Sequence, residues 1–292
     1  MMDPGIVLID LLNGLTRGML YFLMASGLTL AFSVLGIINF AHGSLIMLGA
    51  YFAWTLLQAI GGGWFFFAII ILSGIIVGVV GILIEIFFLR RIYGSEHLYQ
   101  LLLTFALIMI IDGLVLEIWG GMPRCMILPG SLLGAVSIGG NFFPKYSLFI
   151  LLCSTAVAIL GWFFLYKTKF GKASRAAAAD VEITSALGIN VPFVYCGMFA
   201  IGAALAGFSG GLGLAMSSIT PGVGAHIAVT CFAVIVIGGL GSLVGTLVAA
   251  LILGIFEAFG DHYFPQLAMA LPFIIMAVIL LARPQGLFGR KG

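Results

Sequence analysis

The sequence predicts an all-α, polytopic integral membrane protein whose single transmembrane domain occupies residues 1–292. Of the 292 residues, 63% are hydrophobic and only 8% are charged, whereas soluble domains average about 25% charged residues. So few charges cannot cover the surface of a water-soluble protein of this size, and much of the surface must therefore face lipid. The 41 glycines are roughly double the usual ~7% share, which is typical of apolar helices that pack closely or break.

Long apolar runs supply the predicted helices in chain order. A hydrocarbon layer of ~30 Å needs about 20 apolar residues in one helix. Six runs are clear candidates: 14–38, 65–89, 98–118, 146–166, 192–216 and 265–282. Runs 44–60 and 242–259 are near the lower limit, and run 227–237 is too short. We therefore expect about eight or nine transmembrane helices with broken or re-entrant segments.

The positions of the basic residues predict the orientation. Nine of the twelve Lys and Arg residues occur in three groups: Arg90 and Arg91; Lys167, Lys169, Lys172 and Arg175; Arg283, Arg290 and Lys291. Cytoplasmic loops are enriched in such residues, so we expect all three groups to be cytoplasmic. The first helix is expected to stay as a membrane span, because its apolar run is too long for a cleaved signal peptide. With the three basic groups in the cytoplasm, its N-terminus is expected to be outside.

Two connections are long enough to contain structure of their own. The loop at 119–145 is predicted to be external, with a short hairpin around 132–142. The loop at 167–191 is predicted to be cytoplasmic. Its alanine run at 176–179 favours a helix, which Gly188 and Pro192 should end, so a helix outside the bilayer is expected from about 173 to 187. A solvated connector is the simpler alternative.

Motifs for enzymatic chemistry are missing from the sequence. The pair Gly171-Lys172 is followed by Ala173 and lacks the preceding glycine of a phosphate-binding loop, so the chain should not hydrolyse ATP. The four histidines and four cysteines show no metal-ligand spacing, and no basic stripe for nucleic acid is present. We expect no catalytic residue, no metal and no bound cofactor in this chain.

Polar residues between apolar runs indicate two candidate positions on a translocation path. Asn39, His42 and Gly43 stand between two apolar runs, where polar groups are tolerated when they line a cavity or pack within protein. If helical, Asn39 and His42 share one face. A tight hydrogen-bonded helix junction is the alternative interpretation. A second break is predicted at 238–242, so Gly238, Gly239 and Gly241 are also assigned to the path or its gate.

Ionisable residues within the apolar runs are few. Glu85 is about one turn from Arg90 and Arg91 and is predicted to pair there or to reach the interface. Asp112 is the only candidate for a carboxylate at mid-depth. A proton-coupled transporter typically carries a chain of such groups, so this scarcity disfavours proton coupling.

Four strings in this order resemble those of the H-type permease subunits of branched-chain amino acid ABC importers. They are 38–44 with 47–51 (INFAHGS and MLGAY), the 171–191 loop, 237–245 (with GGLGS), and 283–289 (RPQGLFG). The resemblance extends from about residue 27 to 289. The sequence departs from the family pattern at 180–182, where Asp-Val-Glu replaces an Asn-Pro-Glu type of turn.

The resemblance implies a permease subunit in the bacterial cell (inner) membrane. Its implied partners are a second homologous permease, two ATPase chains that bind ATP and Mg, and an external or periplasmic substrate-binding protein. The implied cargo is a branched-chain or other neutral amino acid, with urea, short amides or aromatic acids as alternatives. A stand-alone secondary transporter or channel is the alternative from another class. The 167–191 loop resembles the family's coupling loop, which implies an ATPase-coupling role for Gly171, Arg175, Asp180, Glu182 and Gly188.

Overall fold

The computed structural model describes residues 4–61, 63–138, 140–267 and 270–289, and this part of the chain is mostly helical. Expectations that concern Met1 to Asp3, Arg290 and Lys291 lie outside it. The helices are α1 Pro4–Leu35, α2 His42–Ile60, α3 Phe66–Phe87, α4 His97–Trp119, α5 Lys145–Lys167, α6 Lys169–Ala179, α7 Val181–Ala186, α8 Val191–Gly213, α9 Val223–Gly238, α10 Leu243–Tyr263 and α11 Leu271–Ala282. The strands are β1 Ala135–Ile138 and β2 Asn141–Pro144.

Seven of the described helices are long and apolar enough to cross a membrane: α1, α2, α3, α4, α5, α8 and α10. Two more, α9 and α11, are apolar but shorter. The prediction of a polytopic all-α membrane protein is confirmed. The expectation of a full-length last span at 265–282 is wrong, because the helix begins only at Leu271.

Helix α1 is longer than its apolar run suggests, because polar residues in its first half have partners on α10. It begins at Pro4, not near residue 14. Asp10 and Arg17 lie against His262 and Asp261 of α10. Along the same interface the backbones approach so closely that a Cβ on Gly14 would meet the Ile255 Cα at 2.7 Å. Glycine and the Arg17–Asp261 ion pair therefore allow two long helices to pack tightly.

The bundle has two ends that can be told apart by what they carry. Leu30 and Val34 near the end of α1 form a hydrophobic cluster with Ala177 of α6 and Val191 of α8, and this is called the α6 end. At the opposite end, β1 and β2 form the predicted hairpin, with Val136 paired to Phe143. We call this the hairpin end. By the distribution of Lys and Arg, the α6 end is the one expected to face the cytoplasm.

The chain doubles back between α1 and α2. Helix α1 ends at the α6 end, but the first residue of α2, His42, bonds to Met24, eleven residues before the end of α1. At 1.5 Å per residue, α2 therefore begins about 16 Å back along α1. Phe40 anchors the re-entrant segment 36–41, since its ring stacks on Phe105 at 5.1 Å and on Phe232 at 4.5 Å between ring centres.

Candidate functional site

The first predicted break, at residues 39–43, is a tightly packed helix start. The Asn39 Oδ1 accepts a hydrogen bond from the Ala41 N–H at 3.1 Å, and both Asn39 and His42 are buried. Asn39 precedes α2 and is not helical, so the condition under which it would share a helix face with His42 is not met. An Asx turn competes with the helix here because the side chain supplies the acceptor locally.

His42 ties the start of α2 to the middle of α1. Its Nε2 lies 2.9 Å from the carbonyl oxygen of Met24, and because a carbonyl only accepts, Nε2–H is the donor. The imidazole also fills the space beside Gly27, where an added Cβ would lie 2.9 Å from His42 Cε1. His42 therefore fixes how closely the two helices approach.

The starts of α2 and α9 lie side by side. A Cβ on Gly43 would meet the carbonyl oxygen of Gly224 and would come within 2.6 Å of the Ala228 nitrogen. Next to this contact, the Ser44 hydroxyl donates to the Asp112 carboxylate at 3.3 Å. Gly43 is thus required by close backbone approach, and the contact places the start of α9 beside the 39–43 string.

The second predicted break, at 238–242, is a sharp corner between α9 and α10. Gly239 and Gly241 have φ angles of +98° and +80°, which side chains other than glycine rarely adopt. The string at 283–289 packs on this corner: Leu287 N–H donates to the Ile237 carbonyl at 2.8 Å and Phe288 N–H to that of Gly238 at 3.0 Å. Two of the strings that carry the family resemblance therefore contact each other.

The two breaks do not form one site. Gly224 and Gly238 are fourteen residues apart on α9, or about 21 Å along its axis. Gly241 lies 3.5 Å, measured from an added Cβ, from Ser33 near the end of α1, so this corner belongs to the α6 end. The residues predicted for one path occupy two levels of the bundle.

A cavity of about 370 Å³ lies among α1, α2, α8, α9 and the segment after α8. Its wall is mostly apolar, with Leu20, Met24, Ile46 and Ile227 among the lining residues. The polar lining side chains are Arg17, Tyr21, Ser217, Ser218, His226 and Thr230. None of Asn39, His42, Gly43, Gly238, Gly239 and Gly241 is among the described residues of this lining. His42 reaches the cavity indirectly, through its bond to Met24, which lines it.

A charged cluster beside this cavity was missed by the sequence reasoning. Arg17 Nη1 lies 2.6 Å from Asp261 Oδ2 and 3.6 Å from Glu257 Oε2. Tyr21 donates its hydroxyl proton to Glu257 at 2.6 Å. The partners are more than 230 residues apart in the chain, so sequence spacing gave no signal. Opposite charges near the same ends of two apolar runs were the one available clue.

At the α6 end, Glu85 forms the ion pair predicted for it. Its carboxylate is fully buried and accepts from Arg90 Nε at 3.1 Å and Nη2 at 2.9 Å. Tyr93 also donates to it. Burial of the Tyr93 phenol, together with this hydrogen bond, raises its pKa. The prediction that Glu85 pairs at this boundary is confirmed.

The 167–191 loop forms two helices rather than the single predicted helix. Asp180 adopts an extended conformation, with φ −157° and ψ 112°, that separates α6 from α7. Its Oδ1 accepts the Ile183 N–H at 2.9 Å, so Asp180 is the N-cap of α7. An N-cap residue must leave the helical conformation, and this requirement outweighs the helix propensity of the alanines before it. Gly188, with a φ angle of +81°, lies just after the end of α7.

Helix α6 is fixed to the end of α5 by two of the predicted coupling residues. A Cβ on Gly171 would meet carbonyl oxygens at the end of α5. Arg175 Nη1 donates to the Leu165 carbonyl at 2.8 Å, and its guanidinium carbon lies 4.6 Å from the centre of the Tyr166 ring. Gly171 and Arg175 therefore both contact α5 of the same chain.

Helix α7 presents an apolar surface outside the spans. Val181, Ile183 and Leu187 are 46%, 61% and 74% exposed, and Glu182 beside them is exposed as well. The neighbouring α6 carries three basic residues, and a helix that faces lipid is not expected to carry so many charges. We call Val181, Ile183 and Leu187 the α7 surface.

These features define a multi-pass membrane transport component: apolar helices, a cavity between helices and a helix pair outside the spans. The chain belongs to the family described as "Branched-chain amino acid transport system / permease component", which matches residues 10–280. This family is the non-catalytic permease component of ABC transporters, in which separate subunits hydrolyse ATP. The family assignment made from the sequence is confirmed.

Relatives match over nearly the whole chain. The chain is 32% identical to the high-affinity branched-chain amino acid transport permease BraD of Pseudomonas aeruginosa, over 96% of this chain and 95% of BraD. It is 31% identical to LivH of Escherichia coli over the same shares. It is also 27% identical to the permease LivM of Salmonella typhimurium, over 93% of this chain and 68% of LivM. No solved structure matches this chain.

Proposed function

We propose that this chain is one of two permease subunits of an importer for branched-chain amino acids in the cell membrane. Its relatives BraD and LivH are named for transport of this substrate class. The similarity to both LivH and LivM supports a pair of homologous permeases. Two ATPase subunits that bind ATP and Mg, and an external substrate-binding protein, complete the assembly.

The observation that carries this proposal is the α7 surface. Burying three apolar side chains that face water is favourable, at roughly 25 cal/mol per Å², so this surface suits a protein partner. Gly171 and Arg175 fix α6 to α5, and α7 follows α6 after the single residue Asp180. A force on α7 is therefore transmitted to the spans. ATP binding in a docked ATPase then reaches the helices around the cavity.

For the path, the structure supports an arrangement in which the 39–43 junction controls helix spacing next to the cavity. His42 holds the carbonyl of Met24, and Met24 lines the cavity. The Gly238–Gly241 corner, with the 283–289 segment against it, is the hinge-like point at the α6 end. In this proposal both breaks shape the path from outside the cavity wall.

The test is an exchange of Ile183 and Leu187 together for Ser in the complete importer reconstituted in vesicles. Loss of this apolar contact should lower ATP hydrolysis stimulated by the loaded binding protein by about tenfold or more, since fully burying one Leu or Ile side chain contributes roughly 1.5–3 kcal/mol. Arg175→Ala, which frees α6 from α5, should lower stimulated hydrolysis while the ATPase stays bound.

Leu98→Ser is the matched control, because Leu98 is 61% exposed at the α6 end but lies on α4. It should leave stimulated hydrolysis unchanged. Unchanged hydrolysis and unchanged ATPase binding in the Ile183/Leu187 variant would show that α7 is a solvated connector, and the proposed coupling role would be withdrawn.

A further inference from the structure

The cavity among α1, α2, α8 and α9 has both a suitable size for a small molecule and a wall of mixed chemistry. At about 370 Å³ it is within the range of small-molecule sites, about 300–1,000 Å³. Most of its wall is aliphatic, and among the described lining residues Arg17, on the α1 side, carries a permanent charge. A ligand that fits has one charged end and one apolar end.

The charge on that side consists of both signs. Arg17 uses one nitrogen, Nη1, for Asp261 and Glu257, and a guanidinium has five N–H donors. Tyr21, also in the wall, donates to Glu257, which leaves the lone pairs of its oxygen as acceptors. The cavity therefore borders an ion pair, with a donor group and an acceptor group next to each other.

We propose that this cavity is a transit site for a zwitterionic amino acid, which binds with its head group alongside this ion pair. Arg17 receives the α-carboxylate with its free donors, and Glu257, through Tyr21, attracts the α-ammonium. Leu20, Met24 and Ile46 surround the aliphatic side chain. The site deepens the proposed function and rests on it, because the cargo class comes from there.

Charge complementarity predicts that the cavity prefers a zwitterion. Neither Arg17 alone nor Glu257 alone would give this preference. A carboxylic acid that lacks the ammonium meets Glu257 and Asp261 uncompensated, and an amine that lacks the carboxylate meets Arg17 uncompensated. Hydrogen bonds to charged groups are the stronger class in proteins. We expect leucine to bind at least tenfold more tightly than 4-methyl-2-oxopentanoate or 3-methylbutylamine.

The experiment measures binding of these three compounds by calorimetry to the detergent-solubilised permease–ATPase complex without the binding protein. Glu257→Gln should remove most of the discrimination against the oxo acid, and Arg17→Gln most of that against the amine. Tyr21→Phe should act like Glu257→Gln but more weakly. Asp10→Asn is the matched control: Asp10 lies 3.3 Å from His262 between the same two helices and does not line the cavity, so it should change neither ratio.

Equal binding of all three compounds by the unaltered complex, or no binding of leucine, would overturn the transit site even if every variant failed to assemble. The transit site would be overturned as well if Asp10→Asn shifted the ratios as much as Glu257→Gln. Leucine uptake by the complete importer is measured in parallel. Uptake without this discrimination removes only the transit site, whereas absence of leucine uptake removes the proposed function as well.

Discussion

The two interruptions of the bundle, at 36–43 and at 238–242, both contain glycine but need it for different physical reasons. At the first, Gly43 has ordinary backbone angles, and its missing Cβ lets α2 touch the backbone of α9. At the second, Gly239 and Gly241 have positive φ angles that turn the chain. The first interruption is a contact between helices, whereas the second is a corner closed by the 283–289 segment.

An apolar break rich in glycine does not by itself identify a transport path. Neither interruption lines the cavity within the described residues, but each sets the position of helices that do. Substitutions should therefore act on packing first and on transport through packing. The predicted effects differ in size because steric overlap, a lost hydrogen bond and an unfavourable φ angle differ in cost.

The largest effect is expected from Gly43→Ala. The new Cβ would overlap the Gly224 carbonyl, which belongs to a packed backbone and cannot rotate away, so we expect destabilisation of about 3 kcal/mol or more. The thermal unfolding midpoint of the purified permease in detergent measures this. Gly113→Ala is the control, since its Cβ would meet nothing within 4 Å, and it should be neutral or slightly stabilising. Equal midpoints for both variants would contradict the close approach of α2 and α9.

An intermediate effect is expected from His42→Ala. It removes the hydrogen bond to Met24 and leaves a void beside Gly27, at a cost of about 2 kcal/mol. Unfolding midpoints and leucine uptake are both measured, and uptake should fall together with stability. If instead a variant with both Asn39 and His42 replaced by Ala is assembled, stable and fully active with unchanged specificity, neither residue has a role in the path or gate.

The smallest effect is expected from Gly241→Ala. Its added Cβ would approach Ser33 no closer than 3.5 Å, so the cost is that of a positive φ angle, roughly 1 kcal/mol. The same unfolding assay measures it. A loss as large as that of Gly43→Ala would show that the corner is limited by packing and would erase the distinction between the two breaks.

The sequence sufficed for features that depend on local pattern. Apolar run length located the spans, turn residues located the hairpin, and Glu85 was correctly paired because Arg90 is only five residues away. It failed where distant residues decide the outcome. Helix α1 extends back to Pro4 along α10, which pairs Asp261 with Arg17 and places His262 beside Asp10, and no local pattern contains that information.

The site was predicted only in part for the same reason. The strings at 39–43 and 238–242 were recognised, but the cavity lies between helices whose pairing is set by long-range packing. Its charged cluster joins residues separated by 236 to 244 positions. The division of α6 from α7 at Asp180 shows the converse limit, since a single capping side chain overrode a strong run of alanines.

Leucine uptake into vesicles decides whether this chain conducts an amino acid under the control of ATPase partners. The vesicles contain the complete importer, with the loaded binding protein outside and ATP either present or absent inside. We predict uptake against a gradient only with ATP and only when the ATPase subunits are present. Uptake by the permease alone, without ATP, would contradict the account and would indicate a stand-alone transporter or channel.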